Sequence, residues 1–489
     1  MILALDTPPI DWFALAPTLA LLTAGALNLI LAVLWPRSWK RPTTAVVCAL
    51  GFAGAIVAAA LLFSHSADGH GVIADVIQRD RLGALTAIII AGAGLLAIGT
   101  SYSEPMADDH IAEYYALLAW AGAGMIFLAS ASTLLTLFLG LEWFSISLYI
   151  LCAIDRDLVG SLEAGLKYLI IGGFGSAMLL FGSALVYGAT GQLEFGEIAR
   201  VVQAQDLSGD ALLVAGLALL IGGLGFKASA APFHMWTPDV YEGAPTPITG
   251  FMSVAVKAAA FAAWARILLH KLSALDSDWL FPLWIITIAT MTFGNLLAIS
   301  QSSVKRMLAY SSIAHAGYLL IPIVVGAEWG GLPLLFYVLT YSFMTIGAFA
   351  VLSCLSERDD RRENYSDFAG LGFKRPFLGL AMSLFMLSLA GFPPLGGFAG
   401  KFYIFRAAVL SGHVGLAIIG VLNSLLSVIY YLRVIVAMYM EDGGAEGKSF
   451  RQASAVYIAI ALAAIATLYL GILPASALSW SRIAFASLE

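Results

Sequence analysis

Long apolar stretches alternate with short polar segments along almost the whole chain. An α-helix needs about 20 apolar residues to cross a bilayer, and stretches of that length recur throughout. Hydropathy and turn signals place about fourteen of them, at 10–35, 43–64, 82–100, 114–130, 132–152, 162–190, 210–237, 247–270, 279–300, 303–326, 331–356, 376–411, 413–440 and 452–473. The pattern predicts an all-α polytopic membrane protein.

Two of these stretches contain strong helix breakers. The seventh reads GFKASAAPFHMW, with Lys227 before Pro232, and the twelfth reads GFPPLGGFAGKFY, with Lys401 after its prolines and glycines. A proline removes a backbone hydrogen bond, and inside a membrane the freed groups need protein or water as partners. Each break therefore predicts a polar site near the middle of the bilayer.

The two broken spans lie five spans apart, so they run through the bilayer in opposite directions. Together with the short shared Gly-Phe motif, this predicts two inverted five-helix repeats, each containing one broken helix. The predicted division of the chain has three helices, two repeats and a last helix with its tail, at 1–106, 107–272, 273–440 and 441–489.

Lysine and arginine predict the orientation of the chain, because they concentrate in cytoplasmic loops. The odd-numbered loops carry most of them, including Arg37, Arg156, Arg306 and the charged loop 357–375. These loops are expected on the cytoplasmic side and both termini on the opposite side. The polar segment 193–206 is too hydrophilic to span and is predicted to be an amphipathic surface helix.

Composition narrows the functional classes. The chain is 60% hydrophobic and 11% charged, whereas soluble domains are about one quarter charged. No run of like charge suggests a nucleic-acid partner. The three cysteines, Cys48, Cys152 and Cys354, are far apart and match neither an iron–sulfur nor a zinc motif. There is also no P-loop and no dinucleotide-binding fingerprint.

A few ionisable residues remain inside the predicted spans, where one charge costs about 2.5–3.5 kcal/mol. A desolvated lysine can release its proton, whereas arginine cannot, so the three mid-span lysines favour a proton path. Arg266, Arg406 and Arg433 lie nearer span ends and can snorkel. The intramembrane candidates are Glu142, Glu163, Lys167, Lys227, His234, Lys257, His315 and Lys401.

A structural role for the same charges stays open. Glu163 and Lys167 are four residues apart and can form a local pair on one helix face. His234 and His315 suit a hydrogen-bonding role as well as proton transfer. For Glu142 and Lys227, an ion pair at about 4 Å is worth about 4 kcal/mol. Moving one proton against about 200 mV takes about 4.6 kcal/mol, so this pair could load and release a proton.

Four segments carry a resemblance to a known family: GLEWFSISLYIL, GFKASAAPFHMWTPDVYEGAPTP, SVKRMLAYSSIAHAGY and GFPPLGGFAGKF. With them the chain resembles the antiporter-like subunits of respiratory complex I, the NADH–quinone oxidoreductase. The resemblance extends over essentially the whole chain. Lys401, where the M-type subunits are expected to have glutamate, and the absence of a long C-terminal extension favour the N type.

The resemblance implies roles for individual residues. Glu142 and Lys227 match an ion pair, Lys257 a central lysine and Lys401 the lysine of the twelfth helix. Protons are expected to enter from the cytoplasmic side near the seventh and eighth membrane spans and to leave near the twelfth span. The auxiliary positions are His234, Glu163, Lys167, Lys305 and His315.

The resemblance also implies the surroundings of the chain. NADH, FMN, iron–sulfur clusters and quinone are expected in partner subunits, with no cofactor or metal in this chain. The expected partners are other membrane subunits of complex I and the lipid of an energy-transducing membrane. Three alternatives stay open: an Mrp-type cation/proton antiporter subunit, a membrane arm of the hydrogenase type, and a purely structural membrane subunit.

Overall fold

A computed structural model describes residues 10–66, 70–73, 75–102, 110–355, 363–441 and 453–488. The predicted charged loop 357–375 is therefore only partly described, because 356–362 lie outside these ranges. The helices are α1 Trp12–Leu34, α2 Arg37–His65, α3 Arg81–Ser101, α4 Ile111–Ala129, α5 Leu134–Cys152, α6 Val159–Thr190, α7 Phe195–Gln205, α8 Ala211–Ala228, α9 Trp236–Gly243, α10 Thr246–Trp264, α11 Asp276–Ile299, α12 Val304–Val324, α13 Ala327–Leu355, α14 Leu371–Lys374, α15 Pro376–Ala390, α16 Gly396–Leu410, α17 Val414–Met440, α18 Ser454–Ile472 and α19 Ala475–Ala486.

Several of the helices begin at a capping side chain. Asp80 accepts a hydrogen bond from the Gly83 amide at the start of α3, and Asp210 does the same for the first turn of α8. Thr133 and Thr136 form a reciprocal capping box at α5. These polar caps satisfy backbone amides that no lipid could satisfy.

Within the described residues, thirteen helices are long and apolar enough to cross a membrane. The shorter α15 and α16 follow each other through the second break and together give the fourteenth crossing, as predicted. The seventh crossing is also broken, because α8 ends at Ala228 and α9 begins only at Trp236. The all-α polytopic prediction is confirmed, and α7 is the predicted amphipathic helix, with Phe195 and Ile198 among its buried residues.

The same packing scheme occurs twice along the chain. In the first half, α4 packs on α5, α5 on α6, α6 on both α8 and α9, and α10 on α4, α5 and α8. In the second half, α11 packs on α12, α12 on α13, α13 on both α15 and α16, and α17 on α11, α12 and α15. The pairs correspond one to one, as two five-helix repeats require. The residue boundaries of the repeats stay a prediction.

The centre of the molecule is formed by α10, α12 and α13, whose membrane segments are almost completely buried. The predicted residues Lys257 and His315 lie on α10 and α12. In contrast, α1, α2, α6, α11, α17 and α18 leave most of their surface on the outside. The polar candidates of α10 and α12 are therefore enclosed by the rest of the protein.

Four local features differ from the sequence-based expectation. The helix α19 was not predicted, because its 12 residues are too few to span a membrane. The helix α10 continues as a π-helical turn over Ala265–Lys271, and a two-stranded hairpin pairs His70–Gly71 with Gln78–Arg79. The prediction that Arg266 snorkels is wrong: its side chain is buried against Asp80 at the start of α3.

Candidate functional site

The two helix breaks share one arrangement, with prolines outside and a lysine inside. Pro232 in the first break and Pro393 and Pro394 in the second are exposed, whereas Lys227 and Lys401 are buried. At the first break, the Trp236 indole donates to the Phe226 carbonyl at 3.1 Å. The groups freed by the breaks are thus satisfied by protein side chains, as a break at membrane depth requires.

Thr290 also serves the first break. Its hydroxyl accepts a hydrogen bond from the Ala231 amide at 2.9 Å. The left-handed residue at the end of α8 is Ser229, with φ of 63°, and Thr237 donates to its hydroxyl at 2.8 Å. Residues of α9 and α11 therefore hold the broken segment in a defined shape.

Lys227 lies at the end of α8 with 1% of its surface exposed. Its amine has no hydrogen-bond partner in the described part of the chain. It lies instead 5.2–5.5 Å from the centroids of four aromatic rings, which belong to Phe144, Tyr149, Tyr168 and Phe226. A buried ammonium without an anion is costly, so the ring faces are the groups here that stabilise the charge.

The expected direct contact between Glu142 and Lys227 is absent. The Glu142 carboxylate accepts a hydrogen bond from the Ser176 hydroxyl of α6. The prediction of a closed ion pair is therefore wrong for this structure, because each member has another partner: a serine for the carboxylate and aromatic rings for the ammonium.

Lys257 lies in the middle of α10 and is also 1% exposed. Its amine donates to both the carbonyl and the hydroxyl of Ser312 on α12. The Tyr341 hydroxyl of α13 donates to the same serine hydroxyl at 3.0 Å, and the Tyr341 ring lies 5.4 Å from the lysine amine. Lys257 is thus connected to two neighbouring helices without a carboxylate.

His315 lies one helical turn beyond Ser312 and is buried between two tyrosine hydroxyls. Its Nδ1 is 2.7 Å from the Tyr337 hydroxyl and its Nε2 is 3.0 Å from the Tyr431 hydroxyl. The Tyr431 hydroxyl also lies 2.5 Å from the Ser311 hydroxyl. Both imidazole nitrogens are therefore hydrogen-bonded, which suits a group that passes a proton from one side to the other.

The same imidazole connects the regions around two lysines. The His315 ring lies 5.2 Å from the Tyr341 ring beside Lys257 and 5.6 Å from the Tyr318 ring. The Tyr318 ring in turn lies 4.8 Å from the amine of Lys401. The structure thus brings the second and third predicted lysines together through one histidine and its tyrosines.

Lys401 is 3% exposed and lies beside the second break. Its amine donates to the carbonyls of Leu389 at 2.9 Å and Ala390 at 3.2 Å, which end α15, and to the Ser424 hydroxyl of α17 at 2.9 Å. Gly391, with φ of 95°, turns the chain out of α15 in the left-handed region that glycine favours. The lysine charge is complementary to the negative end of that helix.

An ionic cluster lies at the end of the molecule that carries the odd-numbered loops. Lys167 contacts Glu163 at 2.7 Å and Asp239 at 2.8 Å. Arg306 contacts Asp239 at 2.8 Å and Glu242 at 2.5 Å. These side chains line a cleft of about 260 Å³ and are 30–59% exposed. The cluster is therefore solvent-accessible, in contrast to the three lysines.

Asp239 is the central acid of this cluster. Burial acts to raise its pKa, but hydrogen bonds from Lys167 and Arg306 outweigh burial and hold the pKa below its ordinary value of 3.8. Asp239 is thus ionised at neutral pH. Lys305, next to Arg306, forms a separate buried contact, donating to the Ala244 carbonyl at 2.9 Å and to Glu363 at 3.0 Å.

His234 lies apart from this buried network. Its ring is half-buried and stacks on Phe293 of α11 at 6.4 Å, and its Nδ1 has no hydrogen-bond partner among the described residues. The prediction that it connects Lys227 onward is not supported by any contact seen here.

Sequence reasoning missed the uncharged members of the site. Tyr149, Tyr168, Tyr337 and Tyr431 contact the buried charges, yet inside apolar spans they look like ordinary core residues. The available signal is the clustering of hydroxyl groups within otherwise apolar spans, as in the Ser311–Ser312 pair and the Tyr430–Tyr431 pair. A second missed feature is the buried Asp80–Arg266 ion pair at 2.5 Å, which lies at the end of the molecule that carries the even-numbered loops.

Known proteins share this arrangement of helices. The family model described as NADH:quinone oxidoreductase/Mrp antiporter, transmembrane, matches residues 131–427. The NADH-quinone oxidoreductase subunit N of Trichlorobacter lovleyi is 47% identical over 395 residues, which cover 81% of each chain. A chain of respiratory complex I from Thermus thermophilus is 34% identical, with a TM-score of 0.80, and the match covers 95% of this chain and 98% of that one.

A chain of the Mrp complex from a Dietzia species shares the fold, with a TM-score of 0.84 at 21% identity and 97% of both chains covered. At that identity the likeness concerns the fold alone. The match to subunit N extends over most of both chains at much higher identity. The chain therefore belongs to the antiporter-like membrane subunits of complex I, and within them to the NADH-quinone oxidoreductase subunit N family.

Proposed function

We propose that this chain translocates protons across an energy-transducing membrane as the N-type subunit of NADH–quinone oxidoreductase. The observation that carries the proposal is the buried series Lys257, Ser312, His315 and Lys401 with its tyrosines. A structural subunit could hold its helices together with apolar packing at lower cost than with buried amines. A role in gaining and losing protons explains why lysines occupy these buried positions, because a buried lysine readily shifts its pKa.

The proposed path begins at the solvent-accessible cluster of Glu163, Lys167 and Asp239. Glu142 and Lys227 would receive the proton in the first half of the molecule. Lys257 would pass it through His315 to Lys401 in the second half. No described hydrogen bond joins the ionic cluster to Glu142, Lys227 to Lys257, or the His315 group to Lys401, so these steps need water or a side-chain movement. His234 and Lys305 are kept as auxiliary positions, with Lys305 joining α12 to Glu363.

The proposal includes the surroundings of the chain. The redox reaction between NADH and quinone, with FMN and iron–sulfur clusters, would take place in partner subunits, and its free energy would drive proton movement here. The relative from Trichlorobacter lovleyi is named a subunit of NADH-quinone oxidoreductase, and the Thermus thermophilus chain belongs to respiratory complex I. The odd-numbered loops would face the cytoplasm and both termini the opposite side.

The test uses the intact complex, purified and reconstituted in vesicles. Lys257→Met removes the central amine, and Lys271→Met, at the far end of the same helical segment, is the matched control. NADH-driven acidification and quinone reduction are measured together. We expect Lys257→Met to lose proton pumping and the control to retain it. Normal pumping by Lys257→Met, in a fully assembled complex, would refute the proposal.

The Mrp-type alternative is favoured by one observation, the shared fold with a chain of the Mrp complex. It predicts sodium/proton exchange that does not depend on electron transfer. Vesicles carrying the complex are therefore tested for sodium-driven proton movement in the presence of a quinone-site inhibitor. Exchange that persists under inhibition would favour the antiporter, and its loss would favour redox-driven translocation.

A further inference from the structure

The environment of Lys227 differs from that of the other two buried lysines. Lys257 and Lys401 donate hydrogen bonds to named acceptors, and each lies near one aromatic ring. Lys227 has no such acceptor among the described residues, and four rings surround its amine at similar distances. A second kind of lysine site is therefore present in the first half of the molecule.

We propose that Phe144, Tyr149, Tyr168 and Phe226 form a cation-binding cage, which holds the protonated Lys227 amine away from Glu142. This inference rests on the proposed function and names the groups that regulate its first transfer step. The negative ring faces attract an ammonium, most strongly where water is excluded. The four residues are called the aromatic cage below.

The cage stabilises the charged lysine without offering a proton acceptor. Ring faces have no lone pair to which the ammonium could give its proton, whereas the Glu142 carboxylate has four. In the structure that carboxylate is engaged by Ser176. The lysine therefore has two alternative partners, and only one of them can exchange a proton. While Lys227 is in the cage, its proton cannot return to Glu142.

Trp236 connects the aromatic cage to the broken helix. Its ring stacks on Tyr168 at 4.6 Å and on Phe226 at 5.2 Å. Its indole nitrogen donates a hydrogen bond to the carbonyl of Phe226, the residue that precedes Lys227. Because Trp236 begins α9, a movement of the segment between α8 and α9 would displace two cage rings together. The break could thus change which partner holds Lys227.

Fluorination of a ring separates the proposed attraction from simple packing. Each fluorine weakens the negative ring face with little change in ring size. The experiment places mono-, di- and trifluorinated phenylalanine at position 144 of the chain in the assembled complex. Phe251, a fully buried ring that contacts Phe52 at 6.4 Å, receives the same series as the matched control.

We expect protons pumped per NADH to fall stepwise along the Phe144 series and to stay constant along the Phe251 series. Two variants of Tyr168 test the ring and the hydroxyl separately. Tyr168→Phe keeps the ring and should lose much less pumping than Tyr168→Leu, which removes the ring and should lower the pumping rate about tenfold. Rescue by phenylalanine would not be expected if the hydroxyl itself carried the proton.

Two results would overturn the cage: a flat Phe144 series, or equal losses in Tyr168→Phe and Tyr168→Leu. Lys227→Met is measured in the same preparations to test the proposed function separately. If Lys227→Met pumps normally, the proposed function itself fails at this residue. If it does not pump while the fluorinated series is flat, lysine transfer stands and only the aromatic cage is excluded.

Discussion

Replacing Asp80 with alanine would leave a buried guanidinium without its anion. The Asp80 carboxylate accepts hydrogen bonds from Arg266 at 2.5 and 3.1 Å and from the Gly83 amide at 2.7 Å. Arg266 would keep its contacts to Gln78 at 2.9 Å and to the Ala129 carbonyl at 3.0 Å, but neither is charged. The substitution thus removes an ion pair and a helix cap together.

The expected loss is large for a single side chain. Breaking a buried ion pair by removing one partner costs about 3–5 kcal/mol. Losing an N-cap costs about 1 kcal/mol, so Asp80→Ala should lower the free energy of unfolding by about 4–6 kcal/mol. Arg266→Met added to Asp80→Ala removes the unpaired charge as well. The double variant should recover most of the stability lost with the ion pair, so that its free energy of unfolding is lowered only by the about 1 kcal/mol of the missing helix cap.

The assay uses the purified chain in mixed detergent micelles, unfolded by increasing SDS. A thiol-reactive dye reports unfolding through the three buried free cysteines, Cys48, Cys152 and Cys354. Glu197→Ala breaks an exposed pair with Arg200 and is the control, expected to leave the transition unchanged. A double variant less stable than Asp80→Ala would refute the reasoning, because the loss would then not come from an unpaired charge.

Three further changes give separate expectations. Gly172→Ala would place a methyl group 2.4 Å from the Tyr149 hydroxyl and should destabilise the chain by about 1–3 kcal/mol. The control is Gly173→Ala, whose methyl group meets no atom within 4 Å and which should be neutral or stabilising. Both are measured in the same SDS unfolding assay. Because the Asp239 pKa is lowered, the stabilisation from its ionised carboxylate is present above about pH 4 and is lost only as the pH falls through that lowered pKa. Asp239→Asn should therefore reduce proton pumping without changing the pH dependence of pumping between about pH 6 and 8. A shifted profile would contradict this. His315→Phe orphans the buried Tyr337 hydroxyl, whereas the Tyr431 hydroxyl keeps its contact with Ser311. The substitution should lower stability by about 1–3 kcal/mol and should also lower proton pumping. Full pumping would exclude the histidine from the path.

The helices were predictable because membrane spans are defined by local length and hydropathy. The breaks were equally visible, since Pro232 and Pro393 interrupt otherwise continuous apolar runs. The three mid-span lysines were also correctly identified as buried, since Lys227, Lys257 and Lys401 are all enclosed, whereas the burial of Arg266 was not foreseen. The sequence carries this information because a charge inside an apolar run is conspicuous whatever its partners are.

The partners of these charges could not be predicted in the same way. Glu142 was the expected partner of Lys227, but the carboxylate contacts Ser176 and the lysine contacts aromatic rings. Arg266 and Asp80 are 186 residues apart, so no local pattern announces their contact. Partner choice depends on how helices rotate against each other, and an aromatic residue in an apolar span has the same hydropathy whether it packs or binds a cation.

The hydrogen bonds of Lys401 have a further consequence for the second break. An ammonium has three N–H donors, and here each has its own oxygen: two carbonyls at the end of α15 and the Ser424 hydroxyl. A neutral amine has only two donors and one lone pair. On losing its proton, Lys401 must therefore give up one carbonyl or have the Ser424 hydroxyl rotate and donate to it. Deprotonation of Lys401 therefore costs either one contact with the end of α15 or the present orientation of the Ser424 hydroxyl, so the hydrogen bonds at the second break change with the charge of the lysine.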